Sequence, residues 1–265
     1  MSKTALITGG SSGLGYELAK QLKAQDHNLI LVARNEDKLK SSAKALASEP
    51  GNGFVKTIAC DVSNEDSIEA CFKSGLQDID DIDFLIVNAG VTSIDLLSDY
   101  KDLKAVTRDL KINLIGAIAS TYVCMPYLTS GSRILFVSSG FGVVGAPGYS
   151  LYCASKAGLN NFADALRREL LPRNINIHVA CPGDIDTPMY AGELEIMPDW
   201  IREKMGRGKP AQVDSIASYI LEKCFKNKFM IVPSLDVTGL MTLQKILPRR
   251  LATRIIDNLL PRPPK

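Results

Sequence analysis

Residues 3–20 read KTALITGGSSGLGYELAK. An apolar run, Ala5-Leu6-Ile7, drops through Thr8 into a cluster of glycines and serines, and a helical pattern starts at once. Gly9, Gly13 and Gly15 mark the junction. Glycine permits a tight turn and lets the backbone come close to a ligand. A helix starting there aims free N–H groups and the positive end of its dipole into the turn, which favours a pyrophosphate. Such a turn carries information when it follows a first strand and opens a helix, and this one does both.

Outward from the turn, apolar runs recur at crossover spacing: TALIT, LILVA, FVKTIAC, DFLIVN, RILFVSS, INIHVAC and FMIVP. Helical patterns at 13–24, 36–47, 67–73, 102–128 and 152–171 separate several of them. Strands apolar on both faces, alternating with helices, mean a parallel sheet covered on both sides. The expected fold is α/β: one doubly wound domain over residues 1–265, with a seven-stranded parallel sheet. The segment 188–210, rich in Met, Gly and Pro and holding the single Trp200, is expected to be a lid.

Composition narrows the function. A hydrophobic share of 46% is that of a folded globular domain. A formal charge of +2, without an aromatic and basic patch, gives no reason to expect nucleic acid. The apolar stretch 112–128 contains Asn113, Gly116 and Pro126 and reads as a buried helix. The strand begins at Thr4, so no secretory leader is read and a cytoplasmic protein is expected. Cys60, Cys71, Cys124, Cys153, Cys181 and Cys224 are scattered and form no C-x-x-C pair, which suits free thiols. His27 and His178 lack partners at ligand spacing, so no metal is expected.

The glycine spacing is T-G-x-x-x-G-x-G over Thr8–Gly15. Asn88-Ala89-Gly90 follows the fourth strand, and Asn113 lies in LKINLIG. Ser139 ends the fifth strand. Tyr152-Cys-Ala-Ser-Lys156 follows it by thirteen residues, and PGDIDT, Pro182 to Thr187, follows the sixth strand. In this order and spacing the chain resembles the short-chain dehydrogenase/reductase family along nearly its whole length. The resemblance implies a Rossmann-type domain, a nicotinamide cofactor, and a homo-oligomer, dimer or tetramer. It implies catalytic roles for Asn113, Ser139, Tyr152 and Lys156. It places cofactor contacts at Gly9, Ser11, Ser12, Gly13, Leu14, Gly15, Asn88, Ala89, Gly90, Tyr152, Lys156, Pro182, Gly183, Ile185 and Thr187, with Asp61-Val62 at the adenine.

The side chains argue the same chemistry. Tyr152 and Lys156 are four apart on a helix and share a face. A tyrosine of ordinary pKa, about 10, is a poor proton donor at neutral pH. A lysine ammonium beside it is expected to lower that value. Tyr152 then protonates a carbonyl oxygen, or takes a hydroxyl proton in reverse, with Ser139 holding the oxygen. Ser138 rivals Ser139, but strand alternation aims one of the pair at the site, and the interval to Tyr152 favours Ser139. Tyr149 rivals Tyr152 but has no lysine four residues on. A non-catalytic dinucleotide sensor on this fold would be expected to lack one of Ser139, Tyr152 and Lys156.

The second strand ends in Ala33-Arg34-Asn35. A carboxylate at that end would bind the ribose hydroxyls of NAD. A guanidinium suits a 2′-phosphate, with Asn35 and Ser11 adding hydrogen bonds, so NADP is preferred to NAD. Ser12 departs from the pattern, because many NADP-binding members carry a basic residue there. The pocket walls, with Phe141, Val143, Val144, Met189, Tyr190, Met197 and Trp200, suit an apolar ketone. Glu193, Glu195 and Asp199 are the polar residues that stand out in the lid, and simple solvation would account for them. LVARNEDKL and DIDTP are similar to the 3-ketosphinganine reductases, which reduce a long-chain amino ketone. Other 3-oxoacyl, steroid-like or small apolar ketones stay open. From 249 onward, Leu251, Ile255 and Leu259 continue an i, i+4 series from Leu247 among several basic residues. The tail reads as an amphipathic helix, either resting on a membrane surface or packing on protein.

Overall fold

The structure is a computed structural model that describes residues 3–205 and 208–264. Gly206 and Arg207 of the expected lid, Met1 and Ser2, and Lys265 of the tail lie outside the described residues.

Among the described residues seven strands form one sheet: β1 (Thr4–Thr8), β2 (Asn28–Ala33), β3 (Val55–Ala59), β4 (Phe84–Val87), β5 (Arg133–Val137), β6 (Asn176–Ala180) and β7 (Met230–Ile231). Their order is β3-β2-β1-β4-β5-β6-β7, and every pair is parallel. The expected seven-stranded doubly wound domain is therefore what the chain forms. Chain direction across the sheet reverses between β1 and β4, and the crevice at such a switch point is where ligands bind in this architecture. The glycine turn after β1 and Asn88-Ala89-Gly90 after β4 both open there.

Eleven helices are described: α1 (Gly13–Lys23), α2 (Glu36–Ala47), α3 (Glu65–Gly75), α4 (Leu103–Leu110), α5 (Gly116–Cys124), α6 (Ser150–Leu170), α7 (Pro188–Ile196), α8 (Asp199–Met205), α9 (Val213–Phe225), α10 (Leu235–Ile246) and α11 (Arg249–Leu259). Strand alternation divides the core in two. On one face Ala5 and Ile7 meet Leu14, Leu18 and Leu22 of α1, Leu39 of α2, and Ile216 and Ile220 of α9. On the other, Leu6 shares a cluster with Phe72 of α3, Ala117 of α5, and Leu159 and Leu166 of α6. Leu18 is fully buried, which contributes about 1.5–3 kcal/mol relative to leaving it in water.

Local signals fix the helix starts. Asn35, Asn64 and Asp102 accept the N–H of Lys38, Ser67 and Ala105 at 2.8, 3.0 and 2.8 Å, capping α2, α3 and α4. The stretch expected as one helix over 102–128 is α4 and α5 joined by a wider π turn at Lys111–Ile115, which holds Asn113. No helix among the described residues is long and apolar enough to cross a membrane. All six cysteines are free. His178 is buried in β6, with Nδ1 2.7 Å from the Lys228 carbonyl.

The lid segment is two helices, α7 and α8. Its base is clasped where Asp186 N–H donates to the Ala211 carbonyl and Ala211 N–H to the Asp184 carbonyl, both at 2.9 Å. The tail forms the helix α11, and its packed face differs from the leucine series. The residues of α11 that go inside are Ala252 and Ile256, whereas Leu251 and Leu259 are 45% and 55% exposed. Leu260 packs on the cluster of Ile94, Tyr149 and Tyr152, and Lys204 of α8 donates to the Asn258 carbonyl at 2.8 Å. Neighbouring elements, more than the helical stripe, select the packed face.

Candidate active site

The glycine turn is built for close approach. Gly9 and Gly13 have φ of +67° and +55°, a region L side chains avoid. A Cβ on Gly9 would stand 2.8 Å from Asn88 Nδ2 and 2.9 Å from Ala89 Cα, and one on Gly15 would collide with the same Asn88 amide. Thr8 and Asn88 lock the two loops together. Asn88 N–H and Ala89 N–H donate to Thr8 Oγ1 at 3.0 and 3.1 Å, and Asn88 Nδ2 donates to the Thr8 carbonyl at 3.1 Å. Ser12 precedes α1 without a side-chain cap bond, so the first N–H groups of that helix face the crevice unclaimed by it.

A cleft of about 230 Å³ runs along the carboxyl ends of β1, β4, β5 and β6. Its lining includes Gly9, Ser11, Ser12, Gly13 and Leu14, then Asn88, Ala89 and Gly90, and further along Ser139, Tyr152 and Lys156. Pro182, Gly183, Ile185 and Thr187 close it from the β6 side. Thr187 accepts the Tyr190 N–H at 3.3 Å as the cap of α7, and its side chain lies 3.4 Å from where a Gly13 Cβ would be.

The other expected cofactor residues lie outside this lining. Arg34 and Asn35 follow β2, and Asn35 spends its carbonyl oxygen capping α2. Burial opposes the Asp61 charge, but the Ser63 amide and hydroxyl, with Arg34, hold its carboxyl below the usual range. Val62 packs on the core, and its carbonyl crowds the space a side chain at Gly116 would need. Gly15 lies beneath the turn, packed on Asn88.

At the chemical end, Tyr152 and Lys156 descend from α6, 9% and 4% exposed. Lys156 Nζ is 5.7 Å from the Tyr152 ring centre and donates to the Val137 carbonyl at 2.9 Å. Burial brings its pKa down to about 8, against the opposing pull of Cys181 and Asp109. Burial also pushes the Tyr152 phenol above its ordinary value, and the Glu193 charge adds to this, while the Ser139 and Thr92 hydroxyls pull the other way. Burial, and not the expected lowering by Lys156, sets the direction. Phe141 stacks on Tyr149 at 4.6 Å and meets Tyr152 edge-on at 6.2 Å.

Strand alternation separates the two serines as expected. Ser138 Oγ turns back to donate to the Lys156 carbonyl at 3.3 Å, while Ser139 Oγ accepts from Phe141 N–H at 3.2 Å on the Tyr152 side. Asn113 is 1% exposed and fully engaged. Its Oδ1 accepts Val91 N–H at 2.8 Å, and its Nδ2 donates to the Val91 carbonyl and Ser155 Oγ. The side-chain space missing at Gly90 lies between Asn113 Oδ1, at 3.2 Å, and Lys156 Nζ, at 3.5 Å.

The sequence profile described as "short chain dehydrogenase" matches residues 3–196. The chain belongs to the short-chain dehydrogenase family. It is 34% identical to "Carbonyl reductase family member 4" of Danio rerio over 227 residues, 84% of this chain and 92% of that protein. It is 34% identical to "3-ketodihydrosphingosine reductase" of Bos taurus over 218 residues, 78% of this chain and 65% of that protein. Among solved structures, a short-chain dehydrogenase/reductase from Burkholderia phymatum in complex with NAD superposes with a TM-score of 0.81 at 20% identity, covering 100% of this chain and 98% of that one. An alcohol dehydrogenase from Thermococcus sibiricus complexed with 5-hydroxy-NADP gives 0.75 at 23% identity, over 88% and 96%. As a short-chain dehydrogenase the chain is an oxidoreductase acting on carbonyl and hydroxyl groups, and its fold binds a nicotinamide dinucleotide. The crowded cradle at Gly9 and the unclaimed N–H groups of α1 fit the pyrophosphate of such a cofactor.

Two residues of this site escaped the sequence reading. Thr92 stands two residues after the Asn-Ala-Gly turn, which was the signal available for it. Glu193 reads as solvated from sequence, yet it lines the cleft.

Proposed function

We propose that the chain reduces a ketone to a secondary alcohol with NADPH, on an apolar long-chain 3-oxo substrate of the 3-ketosphinganine type. The observation that carries the reading is that Ser139, Tyr152 and Lys156 line one cleft with the glycine turn. The buried phenol keeps its proton at neutral pH, so a proton is on hand for a carbonyl oxygen. A lysine near 8 is still mostly charged there, and favours the phenolate left once that proton has gone. A bound nicotinamide supplies the hydride. The chain's residues do the rest: Ser139 orients the carbonyl oxygen, Tyr152 protonates it, and Asn113 fixes the loop that frames Lys156.

Arg34 supports NADPH over NADH, since its guanidinium stands at the end of β2, where the adenosine ribose lies in this fold. Phe141, Met189 and Tyr190 give the cleft apolar walls, and bovine 3-ketodihydrosphingosine reductase is among the relatives. The test is a ketone panel of long-chain 3-oxo sphingoid, 3-oxoacyl and steroid-like compounds, read as oxidation of NADPH and of NADH. Turnover of the long-chain 3-oxo compounds with NADPH is expected. Faster turnover of short polar ketones, or a preference for NADH, defeats the reading.

The surface near the tail supports a second element of it. Leu235 and Ile246 on α10 are 91% and 73% exposed, and α11 adds exposed Leu251 and Leu259 with Arg249, Arg250 and Arg254. Exposed leucines beside arginines suit an anionic lipid surface, from which a lipid ketone would be taken. This is peripheral contact by a tail that also packs on its own domain. Assembly into a dimer or tetramer is proposed from the family resemblance alone.

A further inference from the structure

The cleft carries three charged side chains among its described lining residues: Lys156, Asp184 and Glu193. Lys156 is committed to the Val137 carbonyl. Glu193 belongs to α7, is partly buried, and lines the cleft together with Met189, Tyr190 and Phe141. The Thr92 hydroxyl donates to Met189 Sδ at 3.8 Å, four residues before Glu193 on α7. The Glu193 carboxyl and the Tyr152 phenol line the same cleft. The charges that act on Glu193 are those of Asp184 and Asp109, both of its own sign. Among the described residues this carboxyl makes no ion pair, and it lines the cleft that holds Tyr152.

Three substrate classes meet this wall differently. An anionic chain is repelled by Glu193 and Asp184. A neutral ketone leaves the carboxyl desolvated against apolar surface, which costs free energy. A substrate with an ammonium next to its carbonyl pairs with the carboxyl in a water-poor cleft, where a charge-assisted hydrogen bond is at its strongest.

We infer that Glu193 is a specificity-determining residue that reads a positively charged nitrogen beside the reacting carbonyl, so that amino ketones are preferred to neutral and anionic ketones. This rests on the reductase reading above and names a determinant of its substrate. Burial, with Asp184 and Asp109, lifts the Glu193 pKa to about 7 despite the Thr92 hydrogen bond, so an arriving cation restores the ionised form. Tyr149 and Tyr190, which also feel this carboxyl, are raised chiefly by burial and remain neutral.

The test uses three ketones of one medium chain length: a 2-amino-3-ketone, the plain 3-ketone and a 3-oxo carboxylate. With wild-type protein and NADPH at neutral pH, kcat/KM should fall in that order, with about tenfold or more between amine and plain ketone, as for a charged hydrogen bond. In Glu193→Gln that ratio should collapse to about one, mainly through KM for the amine. Calorimetric titration with the 2-amino alcohol and the plain alcohol should show the same advantage for the amine, lost in Glu193→Gln. Equal wild-type values for amine and plain ketone, or a preference that survives Glu193→Gln, overturns the inference. If no ketone is reduced, the reductase reading fails, and the alcohol titrations then decide the amine site separately. The wild-type series stands even if the variant does not fold.

Discussion

The Lys156 ammonium stands 5.7 Å from the centre of the Tyr152 ring, and it donates to the Val137 carbonyl. The lysine is thus held by the end of β5 with its charge over the Tyr152 ring. Tyr152→Phe keeps the ring, its edge contact with Phe141 and the seat of Lys156. Turnover should fall about a hundredfold or more, as when a general acid is removed, while dinucleotide titration is little changed. Near-normal turnover in steady-state assays would take Tyr152 out of the mechanism.

Lys156 itself is held at a cost in stability. Its folded pKa, about 8, lies below the ordinary value of 10.5, so between these values the unfolded chain binds more protons. The destabilisation is fully present below pH 8 and disappears as pH rises from 8 toward 10.5. Lys156→Met should therefore be inactive yet more stable at neutral pH by about 1–2 kcal/mol, after allowing for the carbonyl it leaves unpaired. Denaturant titrations at pH 7 and pH 10 should show that gain shrinking at the higher pH. A variant less stable than wild type at pH 7 would contradict this.

Arg34→Ala tests the cofactor preference. The substitution should weaken NADPH by roughly 1.5–3 kcal/mol, the range for a hydrogen bond to a charged group, and leave NADH nearly unchanged. Equal losses in fluorescence titrations of the two would show that Arg34 does not read the 2′-phosphate.

The tail has two faces, and they should separate. Ile256→Ala opens the buried side and should cost about 2–5 kcal/mol of stability. Leu251→Ser with Leu259→Ser changes exposed positions and should leave the melting temperature nearly unchanged while weakening binding to anionic vesicles. Wild-type binding should fade as salt is raised. Flotation of the wild type with no vesicle association at low salt would make α11 a packing element only.

Much of this architecture is readable from the chain itself. TALIT is β1 from end to end, because a strand covered on both faces must be apolar throughout and the glycine turn ends it. Tyr152, Lys156 and Ser139 come to one cleft from α6 and the end of β5, while Asn113 on the π turn is bound to Val91 and Ser155 outside its lining. The period of α9 was equally available in Ile216, Ile220, Leu221 and Cys224, yet it drew no reading. What spacing does not carry is environment. The pair four residues apart on α6 is adjacent, but burial and the Val137 carbonyl decide its protonation. Glu193 looks like any surface acid until the fold turns α7 over the cleft. Ala252 and Ile256, not the leucine series, face inward because α11 lies on other elements, and a single helix cannot show which.

Thr187 begins α7 and rests against Gly13. The first turn of the lid is therefore seated on the floor of the dinucleotide cradle, and the base of the lid is clasped at Ile185 and Ala211. Whatever fills the cradle meets the foot of the wall that carries Glu193. In steric terms the cradle and the lid share a boundary at Gly13 and Thr187, so a side chain added at Gly13 would press on the start of α7.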